Sequence, residues 1–213
     1  MIIIYKKYKK IEKEDSCEII IQKSSFIGFG APITSEEEAQ SLIAKTKKSY
    51  PDANHHVYAY IVGKNYEIQR FSDDGEPSGT AGKPILEIMK KEELVDSLII
   101  VTRYFGGIKL GAGGLIRAYA KSAKEVLGLS GVVTMQLYEL MNLEFEYHHW
   151  GKVENEIRNQ KFFKLKSVDY DEKVHCQVYI APEDVAKAKK AFMDLTAGQG
   201  NMVRDSQEYI KEE

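Results

Sequence analysis

The chain has 213 residues, of which 43% are apolar and 29% are charged. This length suits one large domain or two small ones, and the apolar content is that of a globular protein. The net charge of −2 excludes a globally basic polyanion binder, so nucleic-acid binding would need a local cationic patch. Cys17 and Cys176 lie far apart and outside any CxxC or Cys/His cluster, which indicates reduced thiols.

We expect no targeting signal in the N-terminal segment. Residues 1–4 are apolar, but lysines follow at positions 6, 7, 9 and 10, and the apolar run is too short for the core of a signal peptide. No stretch approaches the roughly 20 apolar residues that span a bilayer. We therefore expect a cytoplasmic protein without a membrane partner. The lysines predict a solvated edge segment, with contact to a phosphate backbone as the alternative.

The first part of the chain alternates apolar runs with turn signals, which predicts strands and helices of a mixed domain. Ser35-Glu36-Glu37-Glu38 has the pattern of a capping box, so a helix begins there. The predicted elements are strands at 17–21 and 26–33, a helix ending near 50, a hairpin at 57–62 and 66–71, a short helix at 84–92, a buried strand at 97–102 and a helix at 115–127.

Two glycines at the ends of segment 128–131 predict a domain boundary, so we expect domains at residues 1–131 and 132–213. The second part has the order βαββαβ, which is the ferredoxin-like arrangement. Its predicted elements are a strand at 136–147, a helix with Trp150, Val153 and Ile157, strands at 164–168 and 174–180, a helix opening at Pro182 and a strand at 202–207. The predicted fold class is α+β with two domains.

Glycine and arginine are concentrated in one stretch. Eight of the sixteen glycines lie between Gly75 and Gly114, and three of the five arginines are Arg70, Arg103 and Arg117. Glycine allows a backbone to approach a ligand closely, and arginine suits planar contacts to phosphate or carboxylate. Amides at a helix start attract anions, so glycines before a helix at Leu115 predict a phosphate-binding loop. The phosphate-binding or nucleic-acid-binding residues that we expect are Arg103, Gly106, Gly107, Lys109, Gly111, Gly113, Gly114 and Arg117.

Two other interpretations of this stretch remain open. The arginines could pair with the acidic residues of the preceding loop, because structural ion-pair networks also cluster charges. The same acids, with His55, could instead hold a magnesium ion through oxygen ligands. No other metal or cofactor is expected. The polar residues that could take part are His55, Arg70, Asp73, Asp74, Glu76, Ser78 and Thr80.

The chain resembles the YigZ/IMPACT family, also described as an uncharacterised protein family, at two segments. The first is residues 70–82, RFSDDGEPSGTAG, and the second is residues 101–119, VTRYFGGIKLGAGGLIRAY. Shorter matches lie at residues 23–28 and 51–53. Where the family commonly has His-Asn-Cys, this chain has His55-His56-Val57.

The resemblance implies an N-terminal α/β sandwich like the second domain of a small-subunit ribosomal protein. It also implies a C-terminal domain like the last ferredoxin-like domain of elongation factor G. Eukaryotic relatives act in translational control by binding a kinase activator, and they carry a further protein-binding domain. The resemblance thus points to RNA, the ribosome or a translation factor as partner.

The leading hypothesis is a non-enzymatic binding protein with a regulatory role in translation. An enzyme acting on a phosphorylated small molecule or nucleotide at the glycine-rich loop is the first alternative, and a protein-interaction module is the second. In the second domain, a sheet face with aromatic residues could stack RNA bases, with core or half-buried packing of these residues as the alternative. The aromatic residues expected on that face are Phe145, Tyr147, Tyr170 and Tyr179.

Overall fold

The computed structural model describes residues 6–159 and 162–212. The chain forms two compact units, Met1–Met135 and Gln136–Glu213. The described residues contain two sheets and five α-helices, so the predicted α+β class is confirmed. No helix among them is both long enough and apolar enough to cross a membrane.

The first unit is built on the antiparallel sheet β2-β3-β6-β4-β5. Its elements are β1 (Lys7–Ile11), β2 (Asp15–Ile21), β3 (Ser24–Pro32), α1 (Glu36–Ser49), β4 (His55–Val62), β5 (Ile68–Ser72), α2 (Gly82–Lys91), β6 (Ser97–Tyr104) and α3 (Gly111–Ser130). Strand β6 is central and buried along almost its whole length, as its unbroken apolar run predicts.

Helices cover both faces of this sheet. Helices α2 and α3 pack on one face, where Phe26, Val101 and Tyr119 belong to the larger apolar cluster. Helix α1 packs on the other face, with Ile43 and Leu98 in a smaller cluster. This alternation follows from the side chains of a strand pointing to opposite faces.

Helix α1 begins where the capping pattern predicts. Ser35 is the N-cap residue, and its hydroxyl accepts a hydrogen bond from the Glu38 amide at 3.2 Å. The carboxylate of Glu38 accepts from the Thr34 amide at 2.7 Å, one residue before the position that a capping box would use. The helix end is therefore satisfied by a variant of the predicted motif.

Helix α3 approaches strand β3 closely because the contact is made of small residues. A Cβ atom on Gly30 would lie 2.8 Å from the Ser130 hydroxyl oxygen, and one on Gly28 would lie 3.2 Å from that of Ser122. Both serines are fully buried. This contact fixes the long helix against the sheet and so fixes the direction of its first turn.

In the first unit the predicted start of helix α3 was wrong. Helix α3 begins at Gly111, four residues before the predicted start, so Gly111, Gly113 and Gly114 form its first turn. The lysine-rich segment contains strand β1, where Lys9 pairs with Glu93 at 2.7 Å and forms a parallel bridge with Leu94.

The second unit has the strand order β10-β7-β9-β8, which confirms the predicted ferredoxin-like arrangement, and β1 also pairs with β7, whose residues 132–135 belong to the first unit. Its elements are β7 (Val132–Phe145), α4 (Trp150–Asn159), β8 (Lys164–Tyr170), β9 (Val174–Ile180), α5 (Val185–Leu195) and β10 (Asn201–Lys211). Short 3-10 turns lie at Tyr147–His149 and Pro182–Asp184. Residues of α4 and α5 pack with Phe145 and Val178 in a separate apolar core.

Candidate functional site

Asp73 organises the loop between β5 and α2. One of its carboxylate oxygens accepts hydrogen bonds from the amides of Ala81 and Gly82 at 3.1 and 2.8 Å, and the other accepts from the Gly79 amide at 2.7 Å. A carboxylate that receives three backbone N–H groups holds a loop and the start of the following helix. Both oxygens of Asp73 are therefore used within the protein.

Asp74 joins the same loop to strand β4 and helix α1. It accepts from the His56 amide at 2.6 Å and from the Lys47 ammonium at 3.1 Å. Burial alone would raise the pKa of Asp74, but these two donors outweigh burial and lower it. The carbonyl of Asp74 accepts from Nδ1 of His55 at 2.8 Å, so that nitrogen carries the proton.

Glu76 and Arg103 form a buried ion pair. The Nη1 atom of Arg103 lies 2.6 Å from Oε1 of Glu76, and only 5% of the Arg103 surface is exposed. The hydroxyl of Tyr119 donates to the same oxygen at 2.8 Å, and His55 Nε2 lies 3.8 Å from it. Burial first, and then the Glu76 carboxylate, raise the pKa of Tyr119 well above its usual value.

The environment of Arg103 corresponds to the ion-pairing interpretation and differs from the expected phosphate contact. Its guanidinium lies 5.2 Å from the ring centroid of Phe26 and 5.6 Å from that of Phe105. Its Nη2 atom donates to the Ser24 hydroxyl at 3.3 Å. The sequence did not identify Ser24 as a partner, although it lies within one of the segments that resemble the family.

The remaining polar residues that were expected at the site lie in two places. Some are in the loop between β5 and α2, and Arg70 is on the sheet face that α1 covers. Thr80 is buried and donates to the Pro77 carbonyl at 2.6 Å, whereas Ser78 is exposed. Arg70 lies on the sheet face that α1 covers, where its Nε is 3.7 Å from Glu36. Because α3 packs on the opposite face, the structure does not bring Arg70 to the glycine-rich segment.

The glycines within residues 101–119 occur for different structural reasons. A Cβ on Gly106 would lie 2.0 Å from the backbone of Lys23, so only glycine fits there. Its amide donates to the Ser24 hydroxyl at 3.1 Å. Gly107 has φ +82° in open space, which favours glycine for its backbone angle. Gly114 lies in the first helical turn against Leu110, where a Cβ would be 3.0 Å from the Leu110 Cβ.

The first turn of α3 carries the exposed positive groups of the site. Gly111 and Gly113 are exposed, and the N-cap residue Leu110 offers no side-chain acceptor to the first amides. Lys109 and Arg117 are exposed and make no hydrogen bond or ion pair with the residues that the structure describes. A Cβ on Gly113 would lie 3.5 Å from Nη1 of Arg117, so this guanidinium lies back over the first turn. The result is a local anion-attracting surface.

A pocket of about 230 Å³ opens beside this turn. The buried Glu76–Arg103 pair contributes to its lining, and most of the remaining lining is apolar. Its lining residues are Glu76, Pro77, Arg103, Phe105, Lys109, Leu110, Gly111, Ala112 and Leu115. Sequence reasoning missed the apolar part of this lining, because Phe105 and Leu110 belong to a segment whose glycines and charges dominate the pattern.

The acidic residues do not gather into a metal site. Within residues 6–159 and 162–212, no group of three or more His, Cys, Asp or Glu side chains is arranged to hold an ion. Asp73, Asp74 and Glu76 direct their oxygens to different partners of the protein itself. The arrangement therefore does not correspond to the magnesium alternative.

The aromatic residues expected to share a sheet face in the second unit do not do so. Phe145 is buried in the core, where its ring contacts Trp150 and Phe192. Tyr147 lies in a 3-10 turn and stacks on Tyr170, with ring centroids 6.2 Å apart. The expectation that Phe145 lies on a sheet face open to RNA was wrong, because its side chain points to the face that the helices cover.

Comparison with known proteins reveals two family models. Residues 22–127 match the Impact N-terminal domain, and residues 143–199 match a domain of unknown function, DUF1949. A solved structure titled as that of a hypothetical protein has a TM-score of 0.61 at 28% identity, covering 95% of this chain and 99% of its own.

Named relatives match over most of the chain or over part of it. The IMPACT family member YvyE of Bacillus subtilis is 43% identical over 204 residues, which cover 96% of this chain and 94% of that protein. The IMPACT family member YigZ of Escherichia coli is 33% identical, covering 84% and 88%. Protein IMPACT of Mus musculus is 32% identical over 95 residues, covering 42% of this chain and 29% of the mouse protein.

Proposed function

Since the chain belongs to the IMPACT family, we propose that it is a non-enzymatic protein that binds RNA of the translation machinery and regulates translation. The observation that carries this proposal is the exposed first turn of α3 with two cationic side chains, Lys109 and Arg117, that no described residue neutralises.

Phosphate is the group that this turn fits best. The first amides of a helix have no carbonyl partner within the helix and bear a partial positive charge. Lys109 and Arg117 add formal charge beside them, and the glycines at positions 111 and 113 leave the backbone open to an approaching oxygen. With a net charge of −2 overall, the chain would bind a polyanion through this patch and not through its average charge.

The acidic residues favour binding over chemistry. A general base or metal ligand needs an oxygen that can reach the substrate. The carboxylates of Asp73 and Asp74 instead accept backbone N–H groups, and Glu76 is paired with Arg103. Glu76 does line the pocket beside the first turn of α3, but its Oε1 is engaged by Arg103 and Tyr119, which disfavours a role as base.

The position of the site within the family match supports a shared role. The Impact N-terminal domain match spans residues 22–127 and so contains the whole of the proposed site, from the buried ion pair to Arg117. The proposed link to translation follows from this family membership, whereas the preference for RNA follows from the local charge and backbone geometry.

Salt-dependent RNA binding tests the proposal. The affinity of the wild type for a single-stranded oligonucleotide is measured across a salt series, beside the variant Lys109→Ala/Arg117→Ala. Loss of two phosphate contacts should make the slope of log K against log salt shallower by about 1.4 for a single strand.

The matched control is Lys124→Ala. Lys124 is exposed on the same helix, two turns beyond Arg117, so this change removes one positive charge away from the site. We expect its affinity and slope to match those of the wild type. Absence of RNA binding, or equal slopes in the wild type and the double variant, would refute the proposal.

A further inference from the structure

Phe105 is a large aromatic side chain held in place at the surface. It is 46% exposed, yet its amide donates to Asn54 Oδ1 at 2.7 Å and its ring lies 5.6 Å from the Arg103 guanidinium. Arg103 is itself fixed by the Glu76 carboxylate. An exposed ring on such a rigid support can bind a flat partner without losing much side-chain freedom on binding.

The buried guanidinium of Arg103 has more N–H groups than acceptors around it. Its Nη1 and Nη2 atoms have partners, but its Nε is buried without an acceptor among the described residues. Buried donors are nearly always satisfied in proteins. Because Arg103 contributes to the pocket lining, an acceptor atom that enters the pocket could pair with a second N–H of its Nη atoms, whereas Nε itself is shielded.

The pocket and the helix turn together have the chemistry of a nucleotide site. The pocket offers apolar contacts from Pro77, Phe105 and Leu115, and a polar group from Arg103. A nucleobase has the same division, with apolar ring faces and a polar edge. The cationic first turn of α3 borders this pocket, since Lys109 and Gly111 also line it. A phosphate on the ribose of that nucleotide would then reach the amides of that turn.

We propose that the pocket holds one unstacked base of single-stranded RNA, with the base on Phe105, its polar edge at Arg103 and an adjoining phosphate on the first turn of α3. This inference rests on the proposed RNA-binding function and names the form of RNA that the site takes. Bases in a duplex are paired and stacked, so they cannot enter the pocket.

The test compares two single-stranded ligands of equal charge. One is a decamer of uridine, and the other is a decamer of abasic ribose phosphate, both measured with the full chain at one ionic strength. Because base stacking on an aromatic side chain has a large effect on affinity, the wild type should bind the uridine decamer about 5- to 100-fold more tightly.

Variants at Phe105 locate the effect. Phe105→Ala should bind both decamers equally, whereas Phe105→Trp should retain the preference for uridine, because it keeps an aromatic face. Phe71→Ala is the matched control, since Phe71 is 45% exposed in the same unit but lies on β5. It should keep the wild-type preference.

Each outcome separates the base pocket from the phosphate surface. Equal binding of the two decamers by the wild type would overturn the base pocket and leave phosphate binding intact. A uridine preference that survives in Phe105→Ala would place the base elsewhere and also overturn the inference. If neither decamer binds, both the proposed RNA-binding function and the base pocket are refuted.

Discussion

Arg103 and Arg117 lie 14 positions apart in the sequence, but their environments have opposite character. Arg103 is buried against Glu76, whereas Arg117 is exposed at the first turn of α3. Removing one partner of a buried pair leaves an uncompensated charge in a poorly solvated place. A surface charge without a partner contributes little to folding.

Alanine substitutions of the two arginines should therefore differ in their effect on stability. Arg103→Ala should lower the free energy of unfolding by about 3–5 kcal/mol, because Glu76 would remain buried and unpaired. Arg117→Ala should change it by no more than about 0.5 kcal/mol. Urea unfolding followed by circular dichroism measures both. Similar losses in the two variants would contradict the assignment of a structural role to Arg103 alone.

The sequence could identify the charges of the site but not their burial. The clustering of arginine and glycine was sufficient to select the stretch containing Arg103, Lys109 and Arg117. Whether an arginine faces solvent or Glu76 depends on residues brought together by the sheet, such as Ser24 and Tyr119. Such long-range pairing has no local pattern, so both interpretations of Arg103 remained open until the fold was known.

At the scale of elements, glycines support the fold in different ways according to their surroundings. Gly106 faces the backbone of Lys23 directly after strand β6, and a side chain there would collide with it. Gly128 lies in the last turns of α3 with no atom within 4 Å of an added Cβ. One glycine permits a close contact, whereas the other only adds freedom to the unfolded chain.

Alanine at these two positions should therefore have opposite effects. We expect Gly106→Ala to lower the free energy of unfolding by about 1–3 kcal/mol, as overpacking does. Gly128→Ala should raise it by about 0.5–1 kcal/mol, because alanine has the higher helix propensity. Thermal and urea unfolding of both variants provide the measurement. Stabilisation by Gly106→Ala would show that the loop after β6 can move away from Lys23.

Element types were more predictable than their ends. Periodicity located α1, β6, β9 and α5, because each buries one face or both faces over several residues. The start of α3 was wrong, since glycines have poor helix propensity and the first turn is stabilised by packing around Leu115. Strand β1 was not predicted as a strand, because its lysines conceal a sheet pairing with residues far along the chain.

At the scale of the whole molecule, ionisable groups in both units make stability depend on pH. Hydrogen bonds and nearby cations lower the pKa of Glu144 and Glu208 in the second unit from the usual 4.5, and that of Asp74 in the first unit is also lowered. Burial lowers the pKa of His56 from 6.5. A carboxyl group with a depressed folded pKa stabilises the fold above its unfolded pKa, and a buried neutral histidine does the same.

Stability should consequently decline on acidification in two stages. The first begins below pH 6.5, where the unfolded state takes up a proton at His56 that the folded state resists. The second begins below about pH 4.5, as the carboxylates are protonated. Urea midpoints measured from pH 3 to 8 test this, and His56→Gln should lack the first stage. A midpoint that rises between pH 6.5 and 5 would contradict the prediction.

Helix α3 has 20 residues, which makes it about 30 Å long. At its C-terminal end Ser130 packs against Gly30, whereas at its N-terminal end Gly111 is exposed to solvent. A tilt of only 5° about the C-terminal end would displace the amides of the first turn by about 2–3 Å, which is the length of a hydrogen bond. A larger side chain at the contact between Ser130 and Gly30 would therefore change ligand affinity, although neither residue touches the ligand.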